Sequence, residues 1–188
     1  IAVNKPGDNR PGTVGGLLPG METRVEPVEG IPRGGRFYVR GPNVMAGYLN
    51  EGGAVEPPPD GWHDTGDVVE MTEDQWITIL GRVKRFAKIG GEMVSLTAAE
   101  DLATNLWPEA RHAVISLPDA KKGERLILVT DRSDAEVDKL VTHAKRLGAP
   151  DLAVPRRIVR VPEVPVLGSG KTDYVAIQRM AEMEAKAA

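Results

Sequence analysis

A short segment near the end of the 188-residue sequence carries a lysine between residues that favour a flexible tip. In Gly168-Ser-Gly-Lys-Thr172, two glycines present Lys171 just ahead of a predicted helix. A lysine ammonium is a compact point charge that suits phosphate or carboxylate oxygens. The segment therefore predicts a site for an anionic group at Lys171, with an ordinary exposed loop lysine as the alternative.

The same segment looks like the end of a phosphate-binding P-loop, a motif of nucleotide hydrolases. That motif requires a glycine five positions before the second glycine of the segment, and the chain has Pro165 there. The segment also follows a proline-rich stretch rather than a buried strand. A nucleotide hydrolase is therefore disfavoured.

A second candidate is the turn His63-Asp-Thr-Gly-Asp67, which precedes a predicted strand. A Thr-Gly-Asp turn exposes a carboxylate with two acceptor oxygens. Acidic residues in dinucleotide-binding folds hold a ribose diol with such a carboxylate. Asp67 is thus a candidate ribose ligand, and a simple capped turn is the alternative.

The third candidate is a basic segment, Gly81-Arg-Val-Lys-Arg85, followed by Lys88 and by Gly90-Gly-Glu92. Four basic residues fall within seven positions where a turn-rich half of the chain meets a more periodic half. The segment predicts a hinge whose arginine contacts an anionic ligand. A solvated linker is equally compatible with the composition.

Composition excludes several classes of protein. The chain has no cysteine, which rules out disulfides, thiolate metal sites and a cysteine nucleophile. Its three histidines are far apart and lack metal-ligand spacing, so no metal site is expected. A net charge of −3 argues against a nucleic-acid binder. No apolar run is long enough to span a bilayer, and no signal peptide is visible. Because the chain begins with Ile1, we expect a piece of a longer protein.

Two modules must position these segments. Glycine is concentrated in the first half, where 17 of the 21 glycines precede residue 92. Alternating β-prone residues between turns predict a small antiparallel sheet or barrel there. The predicted strands are Glu22–Pro27, Gly35–Arg40, Asp67–Glu70 and Trp76–Leu80. We also expect one helical turn over Asn43–Leu49.

The second half predicts a small α+β domain. The predicted strands are Phe86–Ile89, His112–Ser116, Arg125–Thr130 and Ile158–Val161. Capping-box spacing at Thr97/Glu100 and Ser133/Glu136 predicts two helices, one running to Leu106 and one to Gly148. A last helix is expected from Thr172 to about Lys186. The predicted division is residues 1–81, a hinge at 82–85, and residues 86–188.

Taken together and in order, these segments resemble the adenylate-forming enzymes, which include acyl-CoA synthetases, luciferases and peptide-synthetase adenylation domains. The resemblance covers nearly the whole chain. It rests on Gly41–Tyr48, Gly61–Asp67, Gly81–Lys84, Gly90–Ser95 and Pro165–Lys171. Two of these, extended as Arg82–Leu96 and Leu167–Asp173, look like the synthetase half of bifunctional bacterial acyl-acyl-carrier-protein synthetase / 2-acylglycerophosphoethanolamine acyltransferases. In that comparison Leu96-Thr97 stands where the family usually has a proline.

The resemblance implies a reaction in two steps. A carboxylate attacks the α-phosphate of ATP to give acyl-adenylate and pyrophosphate, and a phosphopantetheine thiol then takes the acyl group. ATP and AMP with Mg²⁺ are the implied cofactors of the full-length enzyme, with none bound to this part.

By the same resemblance, Asp67, Arg82 and Thr65 bind the nucleotide, and Asp67 holds the ribose hydroxyls. Lys84 is the hinge, and Lys171 is the catalytic residue that reaches the carboxylate and the α-phosphate. The loop of Gly90, Gly91 and Glu92 borders the pantetheine tunnel.

The chain lacks the family's phosphate loop and most of its large domain. We therefore expect the distal β subdomain of that large domain plus the whole small domain, inactive in isolation. The expected partners are a fatty acid, an acyl carrier protein or the thiol of CoA, and the rest of the adenylation domain. We expect no nucleic acid and no membrane contact by this part. The expected location is the cytoplasmic face, with the parent associated with the inner membrane.

A non-catalytic docking module for an acidic carrier protein is the rival hypothesis. Basic side chains could form its contact surface. They are Arg82, Lys84, Arg85, Lys88, Arg156, Arg157 and Arg160.

Overall fold

The computed structural model describes residues 1–187, and the chain divides into two compact units. The first unit is Ile1–Lys84 and the second is Arg85–Ala188. Each has its own hydrophobic core. The α+β class predicted from the sequence is confirmed, with strands dominating the first unit and helices confined to the second.

The first unit is built from strands. They are β1 (Ala2–Val3), β2 (Gly15–Leu17), β3 (Glu22–Glu26), β4 (Gly35–Arg40), β5 (Tyr48–Leu49), β6 (Val55–Glu56), β7 (His63–Met71) and β8 (Trp76–Arg82). Six of them form an antiparallel sheet in the order β1-β2-β8-β7-β4-β3, and β5 pairs with β6. In β4, Phe37 and Val39 are buried while their neighbours are not, as period-2 alternation dictates.

The hairpin of β7 and β8 positions the candidate ribose ligand. Thr72 closes the hairpin turn, because its hydroxyl accepts a hydrogen bond from the Trp76 amide at 3.0 Å. The register shifts between Val68 and Val69, and Asp67 then lies directly opposite Arg82. Both strands are longer than the sequence predicts. Arg82 is one of the added residues, whereas Asp67 already begins the predicted strand Asp67–Glu70.

The second unit places helices on both faces of a five-stranded sheet. Its strands are β9 (Phe86–Ile89), β10 (Glu92–Ser95), β11 (His112–Asp119), β12 (Gly123–Thr130) and β13 (Arg157–Arg160); its helices are α1 (Leu96–Leu106), α2 (Val137–Arg146) and α3 (Tyr174–Ala187). The sheet runs β10-β9-β12-β11, and β13 pairs in parallel with β12.

Alternation along β11 and β12 explains the two layers of this core. Val114 and Leu128 face α1 and α2, where Leu140 is fully buried. Ile115 and Ile127 face the opposite side, where they pack in one cluster with Ile177 of α3. Three 3₁₀ turns complete the described chain, at Pro59–Gly61, Val83–Arg85 and Asp151–Ala153.

The structure corrects three local predictions. Asn43–Leu49 forms no helical turn, because its last two residues pair with β6 in a hairpin. Ser95, and not Thr97, caps α1, since its hydroxyl accepts from the Ala98 amide at 3.2 Å. Helix α2 begins after Glu136 with no side-chain cap, so the predicted capping box at Ser133 is also wrong.

Strand β10 is absent from the sequence-based prediction. In the structure β10 pairs with β9, and Gly90-Gly91 form the tip of the β-hairpin between the two strands.

No helix among residues 1–187 is both long enough and apolar enough to cross a membrane.

Candidate functional site

Asp67 and Arg82 form an ion pair between neighbouring strands of the first unit. The Arg82 Nε atom lies 2.8 Å from Asp67 Oδ1, and its Nη1 donates to the Thr65 carbonyl at 3.0 Å. The Arg82 side chain is 64% exposed, whereas that of Asp67 is 19% exposed. The second carboxylate oxygen of Asp67 has no hydrogen-bond donor among the described residues, which leaves it open to a ligand hydroxyl.

Thr65 shapes the turn that leads to this pair. Its hydroxyl donates to the Phe37 carbonyl at 2.9 Å and accepts from the Asp67 amide at 3.1 Å. Gly66 has a φ of +72° and lies beside the Arg82 guanidinium. The Thr65 side chain therefore holds the backbone of Asp67 in place, and its hydroxyl proton is already used in the hydrogen bond to Phe37.

A cleft of about 520 Å³ opens beside this turn. Its wall combines apolar side chains with the polar groups of His63, Asp64, Thr65, Asp67 and Arg82. Among the apolar ones are Ile1, Val14, Phe37 and Ile79. A concave wall that combines apolar side chains with convergent polar groups is typical of a small-molecule site.

Asp64 is already engaged. Arg36 donates from Nε to Asp64 at 3.1 Å and again through Nη2. The Arg36 hydrogen bonds, together with the one from the Gly66 amide, hold the pKa of the Asp64 carboxyl below its usual value. Asp64 thus stabilises the turn, which leaves Asp67 as the carboxylate with an open oxygen.

Lys171 lies on a narrow ribbon in the second unit, which we call the lysine ribbon (residues 165–173). The Leu167 amide donates to the Lys171 carbonyl at 2.7 Å, and the Asp173 amide donates to the Pro165 carbonyl at 2.9 Å. Val166 and Thr172 pair as an isolated bridge. Lys171 is exposed, and its ammonium has no ion-pair partner among the described residues. The ribbon therefore presents an unpaired positive charge from an ordered backbone.

Gly90 and Gly91 form the tip of the β9–β10 hairpin, with φ values of +60° and +93°. The Gly90 amide donates to the Lys122 carbonyl at 2.8 Å. A side chain at either glycine would meet no atom within 4 Å, so both are required by backbone conformation rather than by crowding. Glu92 follows them and is exposed.

The basic side chains of the predicted docking set differ in whether they form ion pairs or hydrogen bonds within the chain. Lys84 is exposed and is the last residue of the first unit. Arg85, one residue later, is only 16% exposed and pairs with Glu100. Arg156 pairs with Asp151, and Arg160 donates twice to the Ala135 carbonyl. Part of the predicted docking set is therefore used inside the second unit.

Sequence reasoning missed the cluster of Arg85, Glu100 and Tyr174. The Tyr174 hydroxyl donates to Glu100 at 2.8 Å, and the Arg85 guanidinium lies over the Tyr174 ring at 4.0 Å. The spacing of Thr97 and Glu100 predicts instead that Glu100 belongs to a capping box at the start of the helix. A charged residue within the inward face of α1 was the available signal.

No group of three or more acidic or histidine side chains in residues 1–187 has the spacing of a metal site. Mg²⁺ commonly takes one or two carboxylates together with substrate phosphates. The described residues thus provide no cage for it.

The sequence and the fold of this chain are similar to those of several known proteins. No protein-family model matches the chain. The 2-hydroxy-7-methoxy-5-methyl-1-naphthoate–CoA ligase of Streptomyces carzinostaticus is 31% identical over 177 residues, which are 88% of this chain and 31% of that protein. The crystal structure of ATP-bound MatB from Rhodopseudomonas palustris has a TM-score of 0.74 and 29% identity, covering 93% of this chain and 36% of that chain.

A further solved structure is the anthranilate CoA ligase AuaEII in complex with anthranoyl-AMP. Its TM-score is 0.74 at 26% identity, over 97% of this chain and 36% of that chain. These similarities place the chain in the adenylate-forming acyl- and aryl-CoA ligase superfamily. The chain spans about a third of the length of the curated relatives it matches.

Proposed function

We propose that the chain is the carboxyl-terminal part of an ATP-dependent acid–thiol ligase, with Lys171 as the catalytic residue of adenylation. The observation that carries the proposal is the unpaired Lys171 ammonium on an ordered ribbon. In adenylation a substrate carboxylate oxygen bonds to the α-phosphorus, and the bond to the pyrophosphate oxygen breaks. In the transition state, negative charge spreads over the phosphoryl oxygens. A positioned cation stabilises this charge and so lowers the activation barrier of adenylation.

Asp67, Arg82 and Thr65 would hold the nucleotide. The open oxygen of Asp67 is free to accept hydrogen bonds from a ribose diol, and Arg82 orients the carboxylate from the neighbouring strand. Thr65 acts through the backbone of the turn. The ATP and the acyl-AMP named for the similar solved structures agree with a nucleotide at this site.

Lys84 would be the hinge of the domain division 1–81, 82–85 and 86–188. The limit of the two compact units, between Lys84 and Arg85, supports this assignment. After adenylation, the loop of Gly90, Gly91 and Glu92 would border the passage of the pantetheine arm. Two glycines with nothing within 4 Å leave room for a narrow chain beside the backbone.

The thiol acceptor would be the phosphopantetheine of CoA or of an acyl carrier protein. The relatives named as CoA ligases favour CoA. The narrower assignment rests on the Arg82–Leu96 and Leu167–Asp173 segments. This narrower proposal is a fatty acyl ligase of phospholipid or fatty-acid recycling, similar to the bifunctional acyl-carrier-protein synthetases. The ligase would work at the cytoplasmic face, within a parent protein associated with the inner membrane.

Any Mg²⁺ of the reaction would arrive with the ATP phosphates, since the described residues hold no cluster for it. The rest of the adenylation domain would supply the phosphate loop and the acyl pocket. The isolated chain should therefore produce no acyl-adenylate from ATP and a fatty acid. Formation of acyl-adenylate by the purified chain would contradict the assignment as a part.

The test is acid-dependent ATP–pyrophosphate exchange in the full-length protein that contains this chain. Lys171→Ala should lower exchange on the order of 100- to 1000-fold, the usual effect of removing one group that stabilises transition-state charge. Acyl transfer from supplied acyl-adenylate to the thiol should be unchanged. Absence of exchange in the wild type, or full exchange in Lys171→Ala, would overturn the proposal.

A carrier-protein docking module is the second candidate. The observation that favours it is the position of Arg156 and Arg157, which lie just before and at the start of β13 with side chains partly exposed, although Arg156 also pairs with Asp151. Charge reversal at both positions should lower transfer to an acyl carrier protein and leave pyrophosphate exchange unchanged. If neither rate changes, these arginines are only surface residues.

A further inference from the structure

The cluster of Arg85, Glu100 and Tyr174 joins three elements of the second unit. Glu100 Oε2 accepts from Arg85 Nη2 at 2.9 Å and from the Val114 amide at 2.8 Å. Its Oε1 accepts from the Tyr174 hydroxyl at 2.8 Å. Both oxygens of Glu100 are thus engaged, and the partners come from β11, from the start of α3 and from the residue that follows Lys84.

The ion pair also completes the open edge of the sheet. Strand β11 pairs only with β12 in the described sheet. At Val114, the amide donates to Glu100 and the carbonyl accepts from Arg85 Nη1 at 2.8 Å. Arg85 and Glu100 therefore take the place of a further strand at this position, and the cluster is anchored to the core sheet.

Tyr174 connects this anchor to the lysine ribbon. Asp173 closes the ribbon through its amide and caps α3 through its carboxylate, which accepts from the Ala176 amide at 3.0 Å. Tyr174 is the next residue and begins α3. Burial, and the nearby charge of Glu100, raise the pKa of Tyr174 to about 12. Its hydroxyl therefore keeps its proton, and with it the hydrogen bond to Glu100, even at alkaline pH.

We propose that Arg85, Glu100 and Tyr174 form a positioning unit that holds the base of the lysine ribbon against β11 and thereby sets the adenylation rate through Lys171. This inference rests on the proposed ligase function. Lys171 is three residues from Tyr174, so it moves when this anchor loosens. A displacement of about 1 Å at a reacting group can cost on the order of 100-fold in rate.

The first experiment is a double-mutant cycle in the full-length protein. Tyr174→Phe keeps the ring under Arg85 and removes one hydrogen bond. It should lower the kcat of adenylation roughly tenfold, with the KM for ATP and for the acid within about twofold of wild type. In a Lys171→Ala background the same substitution should change the rate less than about twofold.

The matched control is Val175→Ala, one residue further along α3, where the side chain is 63% exposed. It should leave both rates unchanged. Arg85→Lys keeps the charge but loses the fork that reaches both Val114 and Glu100, so it should reproduce the Tyr174→Phe effect. An equal loss in both backgrounds, or a loss confined to KM, would overturn the positioning role.

A second readout needs no ligase activity. Amide hydrogen exchange of Leu167 and Asp173 in the chain itself should accelerate in Tyr174→Phe and not in Val175→Ala. Unchanged exchange at these amides would overturn the positioning unit even if the ligase proposal stands. A wild type without pyrophosphate exchange would overturn the ligase function and the catalytic part of this inference, while accelerated amide exchange would still support the anchor.

Discussion

Each unit of the molecule contains an arginine–carboxylate pair, and the two pairs differ in how much of their bonding capacity is used. Arg82 Nε lies 2.8 Å from Asp67 Oδ1, and the two side chains are 64% and 19% exposed. Arg85 Nη2 lies 2.9 Å from Glu100 Oε2, and these side chains are 16% and 19% exposed. The arginines are three positions apart in the sequence, yet only the second pair is shielded on both sides.

The difference separates a binding pair from a structural pair. Glu100 accepts hydrogen bonds on both oxygens, and Arg85 also stacks on Tyr174. Asp67 retains an oxygen without a donor among the described residues, beside an open cleft. A partly buried, fully bonded pair resists change, whereas an exposed pair with an open acceptor can bind a ligand at little cost in stability.

The largest expected effect concerns the buried pair. Glu100→Ala leaves the Arg85 charge and the Val114 amide without their partner, so it should destabilise the second unit by about 3 kcal/mol. Urea unfolding, monitored by amide hydrogen exchange in β11, measures the loss in the free energy of unfolding. Glu136→Ala, whose pair with Lys139 is about half exposed, should cost less than about 0.5 kcal/mol. A loss for Glu100→Ala no larger than that for Glu136→Ala would contradict the structural role of the Arg85–Glu100 pair.

In the exposed pair, a substitution should affect ligand binding more than stability. Asp67→Asn should change the free energy of unfolding of the first unit by less than about 1 kcal/mol. In the full-length protein it should raise the KM for ATP roughly 10- to 100-fold, because a charged acceptor for the ribose is lost. Steady-state kinetics checks this, with Glu70→Gln on the same strand as the control. A large loss of stability with an unchanged KM would reverse the assignment.

The smallest expected effect concerns Asp64, which lies beside the exposed pair and is bonded to Arg36. Since the pKa of Asp64 is lowered by folding, its contribution is present above the unfolded pKa of about 3.9 and is lost as pH falls through the folded value. Both side chains are more than about a third exposed, so screening limits the contribution to about 1 kcal/mol.

Urea unfolding at neutral pH and near pH 2.5 tests this prediction. Asp64→Asn should be less stable than wild type at neutral pH and equal to it in acid. Glu73→Gln, at an exposed position of the next turn, should differ from wild type at neither pH. A difference for Asp64→Asn that persists in acid would assign the loss to packing rather than to charge.

Several elements could be predicted because their causes are local. Alternation in Gly35–Arg40 coincides with β4, and Gly148 ends α2 with a φ of +70°. Apolar periodicity located the inward face of α2, where Leu140 and Ala144 are buried. Other predictions failed because spacing alone cannot show which partner a side chain finds. Thr97 and Glu100 have the spacing of a capping box, but Ser95 caps the helix.

By itself, the sequence determined the α+β class, the order of the motifs, and the residue types at the candidate site, because these depend on composition and on neighbours within a few positions. Tertiary structure alone decided which charges remain available. Asp67 meets Arg82 through strand register, and Arg85 meets Glu100 and Tyr174 across 15 and 89 positions of the chain. A charge becomes structural or functional according to the partners that folding brings to it, and those partners are distant in sequence.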